Sequence, residues 1–311
     1  MQEPTLLYVS DDPETFRSHG RLFSGPIADK AVVRVLFDHV NGADVPIRLV
    51  AAIVGTANVG AIALLGGLAG PDTNFMGVGH LATYRFLVAH ETVPGGAVSI
   101  HSVDVNGYAL VDVVLKPGEC IAGIFDIAAS GGPFDLRIFA CDPGHDTLSV
   151  YDILPDLPPS ELQRRGIYML PGSTMAAPVP WDGTAVSFEI GSDGGSLPRA
   201  TIDANPNAEA HKGEYGVLKR FTSAIGANGG SLYMCPRGAA ATGTFIVNGR
   251  VLQCHAVDAD QTIEIATTTG GSFTLVTMPD INSTYPVRFT LGPSDETIAA
   301  AGSEGSPVYV A

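Results

Sequence analysis

Four cysteines, eight histidines and a few short clusters of carboxylates are the residues of this 311-residue chain whose types and spacing bear on chemistry. Cys120 and Cys141 close the ends of CIAGIFDIAASGGPFDLRIFAC, where two alternating apolar runs, Ile121 to Ile127 and Phe134 to Ala140, flank Ser130-Gly131-Gly132. A turn signal between two strand signals predicts a β-hairpin. With the turn centred there, Ile121, Gly123, Phe125 and Ile127 share a face with Phe134, Leu136, Ile138 and Ala140, and Cys120 stands opposite Cys141. Opposed residues of a non-hydrogen-bonded antiparallel pair lie about 4.5 Å apart at Cα, at the short end of what a disulfide accepts. The expectation is a Cys120–Cys141 bridge that contributes about 3 kcal/mol by loop closure. The alternative is two small buried thiols, which a one-residue change in the turn would give.

The second pair, Cys235 and Cys254, does not follow from a hairpin. A turn at Asn248-Gly249 sets Cys254 opposite Thr242 or Gly243, so a bridge to Cys235 would have to join strands that are not sequential. Two bridges would imply an oxidising compartment.

Asp142, His145 and Asp146, in the loop DPGHD, offer two carboxylates and an imidazole to a metal. Calcium takes six to eight oxygens and this loop supplies few, so a turn with solvated side chains is the preferred reading and calcium the alternative. Asp38, His39 and Asp44 form a second cluster, but Asp38 and His39 point to opposite faces of a strand. Asp258 and Asp260 read as turn entry. His80, His90 and His101 would meet only if a helix and a strand converged. Trp181 and Tyr215, with Tyr168, Tyr233 and Tyr285, are the candidates for an aromatic platform under sugar rings; core packing is the competing reading. No Gly-x-Ser-x-Gly elbow, His-Glu-x-x-His, phosphate loop or dinucleotide fingerprint is present, which lowers the expectation of catalysis.

The elements that must position these residues are mostly strands. VVRVLFDHV and VPIRLVAAIV read as strands joined at Asn41-Gly42, a hairpin signal. Val59 to Leu65 is a further strand, Gly66 to Gly79 a glycine-rich loop, and His80 to His90 the best helix, with Leu81, Tyr84, Leu87 and Val88 at helical spacing. Residues 152–180 hold a proline-rich connector, with Ser160 placed as an N-cap. From Ala185 onward short strands alternate with turn residues at sandwich spacing. Arg48, Arg137 and Arg288 each sit between apolar residues of a strand, a faint internal repeat.

Only 16% of residues are charged, 45% are hydrophobic, and there are 37 glycines and 22 prolines. That composition suits an all-β protein with frequent turns. The net charge of −15 argues against binding nucleic acid, which needs clustered Lys and Arg. The most apolar stretch, Ala51 to Ala69, is interrupted by glycines and by Thr56 and Asn58, short of the roughly 18 unbroken apolar residues of a membrane span. Met1-Gln2-Glu3-Pro4 lacks the features of a signal peptide, which leaves export by another route or a mature form with an added start methionine, the second being the preferred expectation.

VLFDHVNGADVPIRLV, LAGPDTNFMGVG, GEYGVLKRF, MCPRGAAATGTFIVNG and TYPVRFTLG resemble, in that order, segments of an uncharacterised group of secreted bacterial proteins, some of which carry an attached copper amine oxidase N-terminal-like domain. The resemblance covers about half the chain in patches. It implies an extracellular pair of β-sandwiches; no motif of copper amine oxidases is present, so copper and quinone chemistry are not implied.

The expectation is therefore an all-β chain of two tandem antiparallel β-sandwich domains, jelly-roll or Ig-like, with one or two short helices. Residues 1–150 and 181–311 form the sandwiches and 151–180 the connector. The expected role is a secreted or cell-surface binding or structural protein, without cofactors. A filament or capsid subunit assembling through a C-terminal strand, Val308-Tyr309-Val310, is one alternative. A polysaccharide-active enzyme with loop carboxylates is the other, and a glycan is the expected small partner.

Overall fold

The computed structural model describes residues 2–292 apart from 13, 56–58, 94–97, 146–148, 160–164, 171–173, 177–184, 192–196, 201–210, 226–228 and 269–270. The chain divides into two compact units, Met1–Gly172 with Pro198–His211, and Ser173–Leu197 with Lys212–Ala311. Each is built from two facing sheets, so the all-β, two-sandwich expectation holds.

In the first unit the strands are β1 (Leu6–Ser10), β2 (Thr15–Phe16), β3 (Gly20–Ile27), β4 (Val32–Asn41), β5 (Ile47–Gly55), β6 (Gly60–Asp72), β7 (Ser99–Val103), β8 (Tyr108–Leu115), β9 (Cys120–Ser130), β10 (Phe134–Cys141) and β11 (Arg165–Met169). One sheet runs β11-β1-β4-β9-β6-β7, with β2 on β4; the other runs β3-β10-β5-β8. The pairs β1–β4 and β2–β4 are parallel, a departure from a purely antiparallel fold. Alternate residues of both sheets, among them Val33, Val35, Phe37, Ile121, Phe125, Leu49, Ile53, Leu136 and Ile138, fill one core between them. Each such buried side chain contributes about 1.5–3 kcal/mol of transfer free energy.

The expected Cys120–Cys141 hairpin is not formed. β9 is the centre of the larger sheet, between β4 and β6, while β10 lies in the smaller sheet between β3 and β5. Ser130-Gly131-Gly132 carries the chain from one sheet to the other, and Asp29 Oδ1 accepts from the amides of Gly131 and Gly132 at 2.9 and 3.2 Å. Cys120 pairs with Val40 and Asp72, Cys141 with Arg48, and all four thiols of the chain are free. Near-continuous burial along β9 explains the misreading: it is apolar on both faces because both are covered. The Asn41-Gly42 turn crosses between sheets in the same way. Asn41 Nδ2 donates to the carbonyls of Val45 and Leu115, both at 2.9 Å, and so pins the crossing.

The second cover on β9 is α1 (Phe75–Glu91), which contains the expected helix and extends it toward the N-terminus. Asn74 caps it, its Oδ1 accepting from Gly77 N at 3.1 Å, and Asp72 in turn accepts from Asn74 N. The stretch from Gly66 expected as a loop is instead the second half of β6. Its glycines serve packing: a Cβ on Gly67 would overlap Ala82 O and the backbone of Phe86, and one on Gly66 the ring of Phe125. The expected connector, 151–180, supplies a 3₁₀ turn at Tyr151–Ile153 and then β11. The Ser160 cap lies outside the described residues.

The second unit contains β12 (Thr174–Ala176), β13 (Val186–Ile190), β14 (Lys219–Ile225), β15 (Gly230–Pro236), β16 (Ala241–Val247), β17 (Arg250–Val257), β18 (Ile263–Thr268), β19 (Gly271–Met278) and β20 (Val287–Gly292). They form the sheets β12-β14-β19-β16-β17 and β13-β20-β15-β18 around Leu232, Phe245, Leu275 and Phe289. The Asn248-Gly249 turn is a true hairpin, with φ of 50° and 80° at its centre, and it sets Cys254 opposite Gly243 as the spacing predicts.

Candidate functional site

The residues singled out by the sequence do not converge. Asp142 Oδ1 accepts from Gly144 N at 2.7 Å, an Asx turn, and the carbonyl of His145 accepts from Arg48 Nη1 at 2.9 Å. Asp146 lies outside the described residues, as do Trp181 and Val308-Tyr309-Val310. Among the described residues no three His, Cys, Asp or Glu side chains gather as a metal set. Tyr215 donates its hydroxyl to Ser283 O at 2.7 Å and meets Tyr285 edge-on, while Tyr168 and Tyr233 are buried. Of the three histidines, His80 is buried on α1, His90 lies near its end, and His101 on β7 stacks on Tyr108 of β8 at 4.1 Å. Cys235 sits on β15 opposite Arg288, in a different sheet from Cys254.

Sequence reading missed the most developed polar cluster, on the face of the large sheet that α1 covers. Arg34 on β4 and Asp126 on β9 are register partners and form a two-pronged ion pair at 2.7 and 2.8 Å. The guanidinium lies over the Phe86 ring at 4.8 Å. His90 Nε2 approaches Asp126 Oδ2 at 3.8 Å, and His90 Nδ1 meets Glu91 Oε1 at 2.6 Å. The legible signal was a charge set among apolar residues in each strand, Arg34 in β4 and Asp126 in β9. With Phe86 over it and both partners buried, the pair ties helix to sheet.

A second polar pair points into the sandwich. Ser10 Oγ lies 2.9 Å from His39 Nε2, and Phe16 packs edge-on against the imidazole. Asp38, on the opposite face of the strand, cannot complete a triad with them, and Ser10 and His39 are sealed from solvent. Cys120 and Cys254 are equally unsuited to attack. Burial, with the carboxylates of Asp38 and Asp72 nearby, pushes Cys120 up to about 12; burial and Asp280 do the same for Cys254.

The second unit has its own buried network. Thr242 Oγ1 donates to Asp280 Oδ2 at 2.8 Å, Thr242 N donates to Ser283 Oγ at 2.8 Å, and Asp280 N donates to the Tyr285 hydroxyl at 3.3 Å. Burial, then the Asp280 carboxylate, raises Tyr285 well above the usual phenol range. These bonds close the loop before β20 onto β16.

Among the described residues, one sheet edge remains open. Unpaired edges invite strand addition, and proteins blunt them with charges, prolines, short strands or a covering segment. In the first unit β11 is covered by residues 198–200, through Met169 N to Pro198 O and Ala200 N to Ile167 O. β3 is covered by residues 155–157, through Arg21 N to Pro155 O and Leu157 N to Arg21 O. β8 carries Asp112, paired with Arg48 at 2.6 Å. In the second unit β13, β17 and β18 carry Glu189, Arg250 and Glu264, and β12 has three residues. Among the described residues β7, Ser-Ile-His-Ser-Val, has none of these protections: it pairs regularly with β6 and with no other strand. Its Ile100 is 76% exposed, Val98 just before it is also exposed, and no charge falls between Val98 and Val103.

No protein-family model matches the chain, and comparison with characterised proteins finds no relative. Among solved structures, the CUB1-EGF-CUB2 domains of rat MASP-1 align at 7% identity over 89% of this chain and 99% of theirs, with a TM-score of 0.22. The CBM22-1–CBM22-2 tandem of Paenibacillus barcinonensis Xyn10C aligns at 8% identity over 90% of this chain and 99% of its own, at 0.17. Oxalate decarboxylase aligns at 10% identity over 95% and 78%, at 0.18. Scores this low carry neither topology nor function across, so the reading of this chain rests on its own geometry.

Proposed function

We propose that this protein acts by binding and assembly rather than by catalysis, in an extracytoplasmic or cell-surface setting. The observation that carries the reading is the unprotected edge of β7, which offers a row of backbone donors and acceptors beside an exposed Ile100 to an extended polypeptide. The sealed state of the Ser10–His39 and Arg34–Asp126 pairs supports the non-catalytic half of the reading. An acidic, charge-poor composition supports the exported setting; the free thiols do not add to it. A subunit of a filament or shell is the form of assembly that fits, since one edge can add a strand from one neighbour. The glycan and calcium readings gain nothing from Tyr215, whose hydroxyl donates to Ser283 O, or from Asp142, whose Oδ1 caps its own turn.

The test is the mass of purified protein by light scattering across a concentration series, with the same samples viewed by negative-stain microscopy. Defined oligomers, rings or filaments are expected. A monomer at every concentration that also captures no extended peptide would sink the reading.

A further inference from the structure

We infer that the strand received by β7 is the segment Ser306–Ala311 of a second copy of this chain, an inference that rests on the assembly reading above. The two partners match in sequence. Val98 to Val103 carries no charged side chain, and neither does Ser306 to Ala311, in a protein of net charge −15 whose copies otherwise repel. Pro307 suits the first position of a strand, where no amide is needed, and Val308-Tyr309-Val310 has the β-branched and aromatic character of strands. The residues from Pro307 to Ala311 equal the length of β7.

The faces match as well. Along β7, Val103 faces the core, so His101 and Ser99 share its side while Ile100 and Ser102 lie on the other. On the inner side His101 stacks on Tyr108, and its Nε2 lies 3.2 Å from the Tyr108 hydroxyl and 2.8 Å from Ser99 Oγ. A strand added with Tyr309 on that side extends an aromatic pair into a row of three. Val308 and Val310 then fall on the side of Ile100 and cover it. Backbone bonding supplies affinity, and this two-sided fit supplies the register.

The experiment compares four full-length proteins by light scattering over a concentration series: wild type, a truncation lacking 303–311, Ile100→Lys and Ser102→Lys. Both lysine substitutions fall on exposed positions of β7, so circular dichroism and the thermal midpoint should stay at wild-type values. The expected result is concentration-dependent assembly of wild type and loss of it in the truncation. Each lysine variant should need about tenfold more protein to assemble. The synthetic peptide SEGSPVYVA should bind the truncated chain and lose that binding on Ile100→Lys. Assembly that survives truncation but not Ile100→Lys would point to β7 pairing with itself and overturn the tail as its partner. Assembly lost on truncation but indifferent to both lysines would overturn β7 as the acceptor. In either case the assembly reading stands, whereas a wild type that stays monomeric and binds no peptide overturns both.

Discussion

Arg34 and Asp126 face one another across β4 and β9 with both side chains only 3% exposed, and their two-pronged contact is closed over by Phe86 of α1. Two charges taken out of water repay their desolvation only while both are present. Asp126→Ala should therefore destabilise the first unit by about 3–5 kcal/mol, because the guanidinium is left buried without its carboxylate. The double variant Arg34→Met/Asp126→Leu should recover most of that loss. Urea unfolding of the single and double variants reads the difference, and equal destabilisation in both would show that the pair's charge is not what holds α1.

The seat of α1 on the sheet depends on the absence of a side chain at Gly67. A Cβ there would meet Ala82 O and the backbone of Phe86, neither of which can swing away as a side-chain end can. Gly67→Val should lift the helix and cost about 1–3 kcal/mol. Hydrogen exchange should rise across Phe75–Glu91 while the β3-β10-β5-β8 sheet stays protected. Uniform loss of protection would mean that the helix and both sheets unfold as one body.

Strand periodicity in the sequence located most elements, and failed where a periodic signal cannot say which sheet a strand joins. Ile121–Ile127 and Phe134–Ala140 are strands as expected, but the turn between them is a crossing, because each run is the middle of its own sheet. Asn41-Gly42 failed for the same reason, while Asn248-Gly249, with positive φ at both positions, succeeded. Gly66 and Gly67 read as loop residues because composition does not separate a glycine that turns from one that admits a close neighbour, the Phe125 ring at Gly66 and α1 at Gly67. The charges of Arg34 and Asp126 were legible but their pairing was not, until register joined residues 92 positions apart. The open edge of β7 is a property of strand order, and no local pattern encodes it.

Asn41 shows what a turn residue does when it must bridge two sheets. Its amide nitrogen reaches the carbonyls of Val45 and Leu115, and its oxygen accepts from Ala43 N at 3.0 Å. Asn41→Ala would leave the buried Leu115 carbonyl without this donor, at about 1–3 kcal/mol. Asn41→Asp should do no better, since a carboxylate accepts but cannot donate to either carbonyl. Thermal midpoints of the two variants check this; a stable Asp variant would show that the turn is held by its backbone alone.

Cys120, Cys254 and Tyr8 should make the fold sensitive to alkali. Burial raises Cys120 and Cys254 from 9.0 to about 12, and Tyr8, which donates to Pro26 O at 2.6 Å, from 10.0 to about 12. A folded-state value above the unfolded one means that the folded form holds its proton more tightly. The resulting stability is fully present below the unfolded value and disappears as pH rises toward the folded one. The thermal midpoint should therefore be insensitive to these groups up to about pH 8.5 and fall steadily between 9 and 12. The same burial predicts slow alkylation of Cys120, Cys141 and Cys254 by iodoacetamide at pH 8 in the folded protein, with the half-buried Cys235 modified first. Mass spectrometry after brief labelling distinguishes them, and all four should react at once in urea. Early labelling of Cys120 would instead place the opening of the α1-covered face among the low-energy motions of the molecule, and α1 rather than the β7 edge would then be its most exposed surface in practice.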